Sequence, residues 1–257
     1  AYRFDEAANR LYQFIWGTFC DWHLEFAKPL LQGEDDASRR ETQATTGWAL
    51  AQILHLLHPI MPFITEEIWR QLGGDASAQP RGMLMTAPWP DLPSDLYDPA
   101  AVAEMEWVVA AISALRAVRA EINVPPAARV PLLVKDADGV AAARLERHRE
   151  AFLRLARLAG IEAIDTVPAG GVPVVVEGAT LILRLGEVVD LAREKSRLAK
   201  EIGRLDGDLT RFATKLANPA FLAKAKAEII EEQREREAEA RRDRDRLNAA
   251  YERLDAI

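Results

Sequence analysis

The sequence is short of the side chains from which many covalent and metal sites are built. Its 257 residues include one cysteine, Cys20, and four histidines. A single thiol excludes an internal disulfide framework and fits a reducing compartment. The aromatic neighbours Phe19 and Trp22 predict a buried, inert thiol rather than a reactive one. His55 and His58 stand three residues apart, but no further His or Cys cluster completes a metal site, so packing and capping roles are predicted for both.

Familiar catalytic motifs are also missing. The chain has no glycine-rich phosphate loop, no Gly-x-Ser-x-Gly, no His-Glu-x-x-His and no Cys-x-x-Cys. No apolar run reaches the length of about 18 residues that a membrane span requires, and no signal peptide is recognisable. The residues alone therefore predict a binding or structural module without a catalytic centre, cofactor or membrane contact. Because the first residue is alanine and an amphipathic helix starts within five residues, we expect a fragment of a longer protein.

The first half of the chain has the periodicity of a helical bundle. A long first helix is predicted over residues 5–31, because apolar residues recur there at steps of three, four and seven. A second helix is predicted over 38–57. Two prolines three residues apart predict a kink at 58–62 before a short helix that ends at Leu72. With a further helix over 101–122, these segments predict an α-helical bundle for residues 1–128.

The composition changes in residues 129–189, which predict a small α+β module. Strands are expected at 130–134 and 161–167, with a helix over 140–158 between them. Two further β-rich runs, 172–176 and 179–183, flank Glu177-Gly178, which is a hairpin signal. A module of about 60 residues buries little surface, so it should depend on its neighbours for stability.

Residues 190–257 predict an antiparallel coiled-coil hairpin. The first helix carries apolar residues at steps of three and four, which is the seam of a coiled coil. These are Leu191, Leu198, Ile202, Leu205, Leu209, Phe212 and Leu216. Asn218-Pro219 then ends one helix and starts the next, because Asn caps well and Pro fits a first turn. The apolar residues expected on the second helix are Leu222, Ile229, Ala240, Leu247, Ala250, Leu254 and Ile257. The fold class is thus mainly α.

The charge is distributed unevenly. The chain has a net charge of −7, but residues 191–257 hold 16 basic and 14 acidic residues, a net of +2, against 17 and 26 in the remainder, a net of −9. A concentration of basic side chains on the hairpin would suit a phosphate-contacting element. Alternatively, side chains of both signs simply keep a long exposed helix solvated. The charge distribution alone favours this second interpretation.

Several segments resemble the C-terminal part of bacterial valyl-tRNA synthetases, and the resemblance covers essentially the whole chain. The opening run from Tyr2 to Glu25 is similar to the first helix of that family's anticodon-binding bundle. The run HPIMPFITEEIW, from His58 to Trp69, is similar to a signature that valyl, leucyl and isoleucyl enzymes share. Arg116-x-x-Arg119-x-Glu121-x-Asn123-x-x-Pro126 resembles the helix end that closes the bundle.

The hairpin selects the valyl family among these relatives. Its tip, from Lys215 to Ala225, is close to the family's tip motif, but this chain has Lys226 where the family usually has proline. That departure predicts a second hairpin helix that begins earlier and runs straighter. The family's catalytic signatures, His-Ile-Gly-His and Lys-Met-Ser-Lys-Ser, are absent from these residues.

The resemblance implies a tRNA-binding portion of a class I aminoacyl-tRNA synthetase. The parent enzyme would attach valine to its tRNA in the cytoplasm with ATP and magnesium, and the fragment would itself hold no cofactor. The expected partner is the tRNA for valine, and the expected oligomeric state is a monomer. The predicted tRNA contacts are Arg3, Asn9, Arg10, Arg39 and Arg40 in the bundle, and Arg204, Arg211, Lys215, Lys224 and Lys226 in the arm. Each of these side chains could also be simply solvated.

A second hypothesis is a coiled-coil module that joins protein chains without an RNA function. The quality of the seam distinguishes the two hypotheses. Gln233, Arg236 and Asp243 occupy the second helix where a continuous apolar seam would be expected. Polar residues in the middle of this seam favour one intramolecular hairpin over a strong dimer.

Overall fold

The computed structural model describes residues 2–72, 82–186, 190–224 and 226–255. These residues form two compact units, 1–98 and 99–257, each of which is described by itself. The division of the sequence into a bundle (1–128), a linking module (129–189) and an arm (190–257) stays a prediction.

The described part of unit 1–98 is mainly helical, and its first helix extends one residue beyond the predicted bounds at each end. A π-helical segment, Ile15–His23, joins α1 (Phe4–Phe14) to α2 (Leu24–Gln32) without a break. The predicted single helix over 5–31 is therefore confirmed, with a wider turn in its middle. Phe19 is buried within this segment, whereas Cys20 is half-buried rather than buried.

The chain then reverses into α3 (Asp36–Leu57) and again into α4 (Pro62–Leu72). Asp35 starts α3 because its carboxylate accepts a hydrogen bond from Ala37 N at 3.1 Å. The predicted kink lies at 58–61, where the ring of His58 hydrogen-bonds to Thr65 Oγ1 at 2.8 Å. Thr65 is 1% exposed, so this bond fixes α4 against the end of α3.

Unit 99–257 is built around one long helix and a four-stranded sheet. Helix α5 (Pro99–Glu121) buries one face, on which Val108, Ile112 and Leu115 are fully inaccessible to solvent. The strands are β1 (Val130–Lys135), β2 (Leu158–Ala163), β3 (Gly171–Val176) and β4 (Ala179–Arg184), with α6 (Gly139–Arg147) and α7 (Arg149–Leu155) between the first two. Their order is β2-β1-β4-β3, with β1 parallel to β2 and the other pairs antiparallel.

The predicted hairpin of 172–176 and 179–183 is confirmed as β3 and β4, whereas the predicted helix over 140–158 and the predicted strand over 161–167 are present with different bounds. The helix divides at His148, and α7 ends before Arg157, whose φ of 51° reverses the chain. This left-handed position is filled by arginine rather than by glycine, so it leaves no sequence signal. Strand β2 includes Gly160 and begins at Leu158, three residues before the predicted start.

Gly178 in the β3–β4 turn should tolerate no side chain. Its φ is 76°, and an added Cβ would lie 2.5 Å from the Oδ2 atom of Asp138, the residue that caps α6. We expect Gly178→Ala to lower the free energy of unfolding by about 2 kcal/mol, because the left-handed conformation and the disrupted cap each contribute about 1 kcal/mol. Gly139→Ala is the matched control, because a Cβ there meets nothing within 4 Å. Urea unfolding measures both, and equal midpoints for the two variants would contradict the prediction.

The chain ends in the predicted hairpin. Helix α8 (Leu191–Leu216) packs along α10 (Ala227–Asp255), and the short α9 (Pro219–Lys224) lies between them. Pro219 is the first residue of α9, as predicted. The expected earlier and straighter second helix is wrong, because Lys226 is not helical and α10 starts only after it. The carbonyl of Lys226 instead accepts the backbone N–H groups of Ile229 and Ile230, which starts α10. A reversal between two long helices needs non-helical residues whether or not proline is present.

Candidate nucleic-acid interface

The tip of the arm is a basic segment without acidic residues. Between Asp208 and Glu228 the chain holds four basic residues and no carboxylate side chain. They are Arg211, Lys215, Lys224 and Lys226, four of the five residues predicted for the arm. The rest of the hairpin alternates both signs, so positive charge is concentrated at its far end. Heptad spacing does not show this concentration, but a count of charges along the chain does.

The two predicted arginines of α8 differ in how firmly they are held. Arg204 donates to Glu201 at 2.7 Å and to Asp208 at 2.9 Å, and its hydrogen bonds hold the pKa of the Glu201 carboxyl below its usual value. The side chain of Arg211 is 83% exposed and makes one longer contact, 3.3 Å, with Asp208. Arg211 is therefore the more available of the two for an external anion.

The predicted lysines lie at the turn. Lys215 Nζ donates to the side-chain oxygen of Gln233 at 3.2 Å and sits 5.0 Å from the centre of the Phe221 ring. These contacts join α8 to α10 and to α9, and they leave the lysine without a carboxylate partner in the described part of the chain. Lys226 is exposed and directly precedes α10. The side chain of Lys224 lies outside the described residues.

The inner face of α10 is partly polar, which corrects the predicted seam. Its inward residues follow steps of three and four but include charged and amide side chains. They are Ile230, Gln233, Glu237, Ala240, Arg244, Leu247, Tyr251 and Leu254, together with the fully buried Ala250. Gln233 is only 7% exposed, as its place in the seam requires. Ile229, predicted to face inward, is 43% exposed, and Arg236 is also exposed, so neither belongs to the seam. Polar seam positions weaken association but fix the register of two helices.

The base of the arm is joined to α5. Arg253 of α10 forms an ion pair with Glu121 near the end of α5. Beside this contact Leu198 and Leu254 are buried, and Lys195 pairs with Asp255 across the hairpin. The arm is thus attached through both apolar packing and charge, while its basic tip projects away from this attachment.

The predicted bundle residues on the first helix are accessible. Arg3 precedes α1 and pairs with Asp5 at 2.8 Å and with Glu6 at 3.2 Å. Its hydrogen bonds hold the pKa of the Asp5 carboxyl below its usual value. Asn9 and Arg10 are exposed on α1. Of these three residues, Arg3 is the one that would have to exchange its carboxylate partners for a phosphate.

Arg39 and Arg40 lie in the first turns of α3. Arg39 is half-buried, pairs with Asp36 and donates to the carbonyl of Gly33 at 3.3 Å. Arg40 is exposed and uses only its Nε–H, which donates to the carbonyl of Asp36 at 3.1 Å. The terminal nitrogens of Arg40 make no contact within the described residues.

The fold separates these two groups of bundle residues. Helix α3 packs against α2 after a link of three residues, so it runs antiparallel to it, and His23, just before α2, hydrogen-bonds to Thr46 at 3.0 Å. Arg40 therefore lies level with the end of α2, whereas Arg10 lies in α1. At 1.5 Å per residue, the two levels are about 30 Å apart. The five predicted residues cannot meet around one nucleotide, although one extended RNA could touch both groups.

Two negative findings accompany this geometry. Among the residues that the structure describes, no three His, Cys, Asp or Glu side chains are grouped so that they could hold a metal ion. Within the same residues, no helix combines the length and the apolar character that crossing a membrane requires.

Two family models match separate parts of the chain. Residues 1–134 match the family model described as the anticodon-binding domain of tRNA ligase. Residues 190–255 match the family model described as the valyl tRNA synthetase tRNA binding arm. The second match begins at Asp190, which caps α8.

Curated relatives match over nearly the whole chain. A valine–tRNA ligase of Caulobacter vibrioides is 48% identical over 254 residues, which are 99% of this chain and 28% of the relative. Those of Rhizobium meliloti and Cereibacter sphaeroides are 45% and 41% identical, over 98% and 100% of this chain. The chain spans about a quarter of the length of these relatives, 26% and 25% in the last two.

Proposed function

Because this chain belongs to the family of anticodon-binding domains of tRNA ligases, we propose that it is the tRNA-binding C-terminal part of a valine–tRNA ligase. Its bundle engages the anticodon stem-loop of the tRNA for valine, and its arm grips the outer corner of the same molecule. The acid-free tip of the arm is the observation that carries this proposal, since it places four basic side chains at the far end of a long helical hairpin.

The two contacts have different roles. Single-stranded loop bases are bound by stacking and by edge hydrogen bonds, which the exposed polar and aromatic residues of the bundle can supply. Phosphate contacts from the tip provide affinity and orientation rather than base choice. The arm would therefore hold the acceptor end of the tRNA in place for a catalytic centre elsewhere in the parent enzyme.

The remaining properties belong to that parent enzyme. It would use ATP and magnesium to activate valine, in the cytoplasm, while this portion contributes tRNA binding and no cofactor ligand. The polar positions in the α10 seam support a monomer, because they disfavour a strong intermolecular coiled coil.

The proposal is tested by footprinting. The whole chain is mixed with the tRNA for valine, and backbone cleavage is mapped at several salt concentrations. Protection of both the anticodon loop and the outer corner is expected, and it should weaken as salt is raised. A tRNA for another amino acid, with a different anticodon, is the control and should lose anticodon protection first. An unprotected corner would contradict the role of the arm.

The ion pairs of the arm predict which basic residue matters most. Arg211→Gln should weaken tRNA binding several-fold and reduce the salt slope by about one, as the removal of one phosphate contact does. Arg204→Gln should have a smaller effect, because Arg204 must first give up Glu201 and Asp208. Filter binding compares the two variants, which lie about two turns apart on α8. A larger effect for Arg204→Gln would contradict the prediction, because it would show that ion pairs with Glu201 and Asp208 do not weaken the binding of Arg204 to tRNA.

The alternative function, a coiled-coil module that joins protein chains, finds less support. The apolar residues of α8 already pack on α10 of the same chain. Sedimentation of the chain decides between the hypotheses, since a stable dimer that requires residues 191–257 would favour the alternative.

A further inference from the structure

A groove of 480 Å³ runs between α3 and α4 in unit 1–98. Its volume falls in the range of small-molecule clefts, about 300–1,000 Å³. The lining residues are Gln43, Ala44, Gly47, Trp48, Ala51, Gln52, His55, Trp69 and Leu72. Two indole rings, an imidazole and two amides surround a floor of small residues, which is the composition of a site for a flat, polar-edged ring.

One wall of this groove is held rigidly. The ring of His55 donates from Nδ1 to the carbonyl of Ala51 at 2.8 Å. Trp69 meets the same ring edge-on, with 4.8 Å between ring centres, and its indole N–H donates to the carbonyl of Gly82 at 3.0 Å. The Nδ1 atom of His55 and the indole N–H of Trp69 are thus committed to the fold.

The other wall offers unused groups. Trp48 is 48% exposed. The amide of the half-buried Gln52 makes no hydrogen bond within the described residues, and neither does the amide of Gln43. Gly47 leaves the floor open, because a Cβ there meets nothing within 4 Å. Arg40 lies one turn before Gln43 and Ala44 on the same face of α3, and its terminal nitrogens point to no partner in the described part of the chain.

We propose that this groove binds one unpaired nucleobase of an RNA loop, stacked on Trp48, while Arg40 contacts the neighbouring phosphate. The inference rests on the proposed tRNA-binding function and assigns a site to it. An aromatic face accepts any base, and free amides can donate to and accept from its edge. Gln43 and Gln52 provide those amides, and a cation one helical turn away suits the backbone spacing of a nucleic acid.

The test uses variants that fill or flatten the groove without disturbing the fold. Gly47→Leu should block the floor, and leucine forms helices better than glycine. Trp48→Leu removes the stacking face, whereas Trp48→Phe keeps one. Gly203→Leu on α8 is the matched control, because its Cβ also meets nothing within 4 Å and it lies far along the chain in the arm. Circular dichroism checks that all four variants keep their helix content.

The probe is an RNA hairpin with the anticodon loop of the tRNA for valine, carrying 2-aminopurine at each loop position in turn. Binding of the whole, unchanged chain should alter the fluorescence at one position. Gly47→Leu and Trp48→Leu should weaken binding about tenfold and abolish that change, as removal of one base stack predicts. Trp48→Phe should keep most of the affinity, and Gly203→Leu should bind like the unchanged chain.

The outcomes separate the site from the function. If the unchanged chain binds the hairpin and both groove variants bind it equally well, the groove is not the base site, and the proposed function still stands. Binding of intact tRNA but not of the hairpin would also overturn the site. Failure of the unchanged chain to bind either RNA would overturn the proposed function, and this inference with it.

Discussion

Replacing residues 207–243 by a short Gly/Ser turn is expected to lower the affinity for tRNA by about a hundredfold near physiological salt, because up to four phosphate contacts are removed. The change deletes the basic tip but not the attachment of the arm. Arg211, Lys215, Lys224 and Lys226 all lie within the excised segment, so this one variant tests most of the predicted arm residues together.

The junction follows from the register of the hairpin. Asp206 of α8 and Arg244 of α10 face each other, with 3.7 Å between their charged atoms. Joining the chain at this level keeps the inner half of both helices, including the buried Leu198 and Leu254 and the ion pair of Arg253 with Glu121. A fall in affinity would then not reflect unfolding at the base.

Net charge does not change in this variant. The excised segment holds eight basic and eight acidic residues, so the chain keeps its net charge of −7. A fall in affinity must therefore come from local interactions with the RNA rather than from the overall field. Filter binding at several salt concentrations should show a salt slope that is smaller by about one for each phosphate that the tip no longer neutralises.

A control separates the tip from the stem of the arm. Arg234 and Arg236 lie in the excised segment but pair with Glu231 at 3.6 Å and with Glu232 at 2.6 Å. Changing both to glutamine should alter affinity little, because they lie outside the acid-free tip. If that double variant binds as weakly as the excision variant, the basic tip is not the contact surface.

The two helices of the hairpin show what heptad spacing can and cannot predict. The seam of α8 is visible in the sequence because its members are apolar. The inner face of α10 includes Gln233, Glu237 and Arg244, which are indistinguishable from surface residues by type. Only burial against α8 identifies them, and it also shows that the apolar Ile229 points outward.

The sheet illustrates the same limit for turns. The β3–β4 hairpin was predictable because Glu177-Gly178 supplies a residue that accepts a positive φ. The end of α7 was not predictable, because Arg157 adopts a φ of 51° and arginine is not a residue type that indicates a positive φ. Backbone conformations imposed by packing leave no local signal, and the predicted start of β2 was displaced as a result.

The candidate interface was predictable by residue type rather than by arrangement. The arginines and lysines are evident in the sequence, but two facts depend on how helices pack. One is that Arg10 and Arg40 lie about 30 Å apart along antiparallel helices. The other is that a groove forms between α3 and α4, since Trp48 and Trp69 are 21 positions apart in the chain.

Phe152→Ala is expected to lower the free energy of unfolding of unit 99–257 by about 3–5 kcal/mol, the range for deleting a buried aromatic side chain. Phe152 lies in α7, is 0% exposed and packs with its ring centre 6.2 Å from that of Trp107 in α5. Val175→Ala is the control, because Val175 is 81% exposed on β3 and its truncation should change stability by about 0.5 kcal/mol or less. Urea unfolding of the whole chain measures both.

Hydrogen exchange of the Phe152→Ala variant also tests to which domain α5 belongs. Helix α5 packs on α6, on β3 and on α10, and its Trp107 indole donates to the carbonyl of Glu177 at 2.8 Å. We therefore expect the amides of α5 to lose protection together with those of the sheet. If α5 instead keeps its protection along with residues 1–98, the bundle extends to residue 128 as the sequence predicts, and Phe152 stabilises only the small module. A milder variant, Phe152→Leu, gives the same comparison if the alanine variant does not fold.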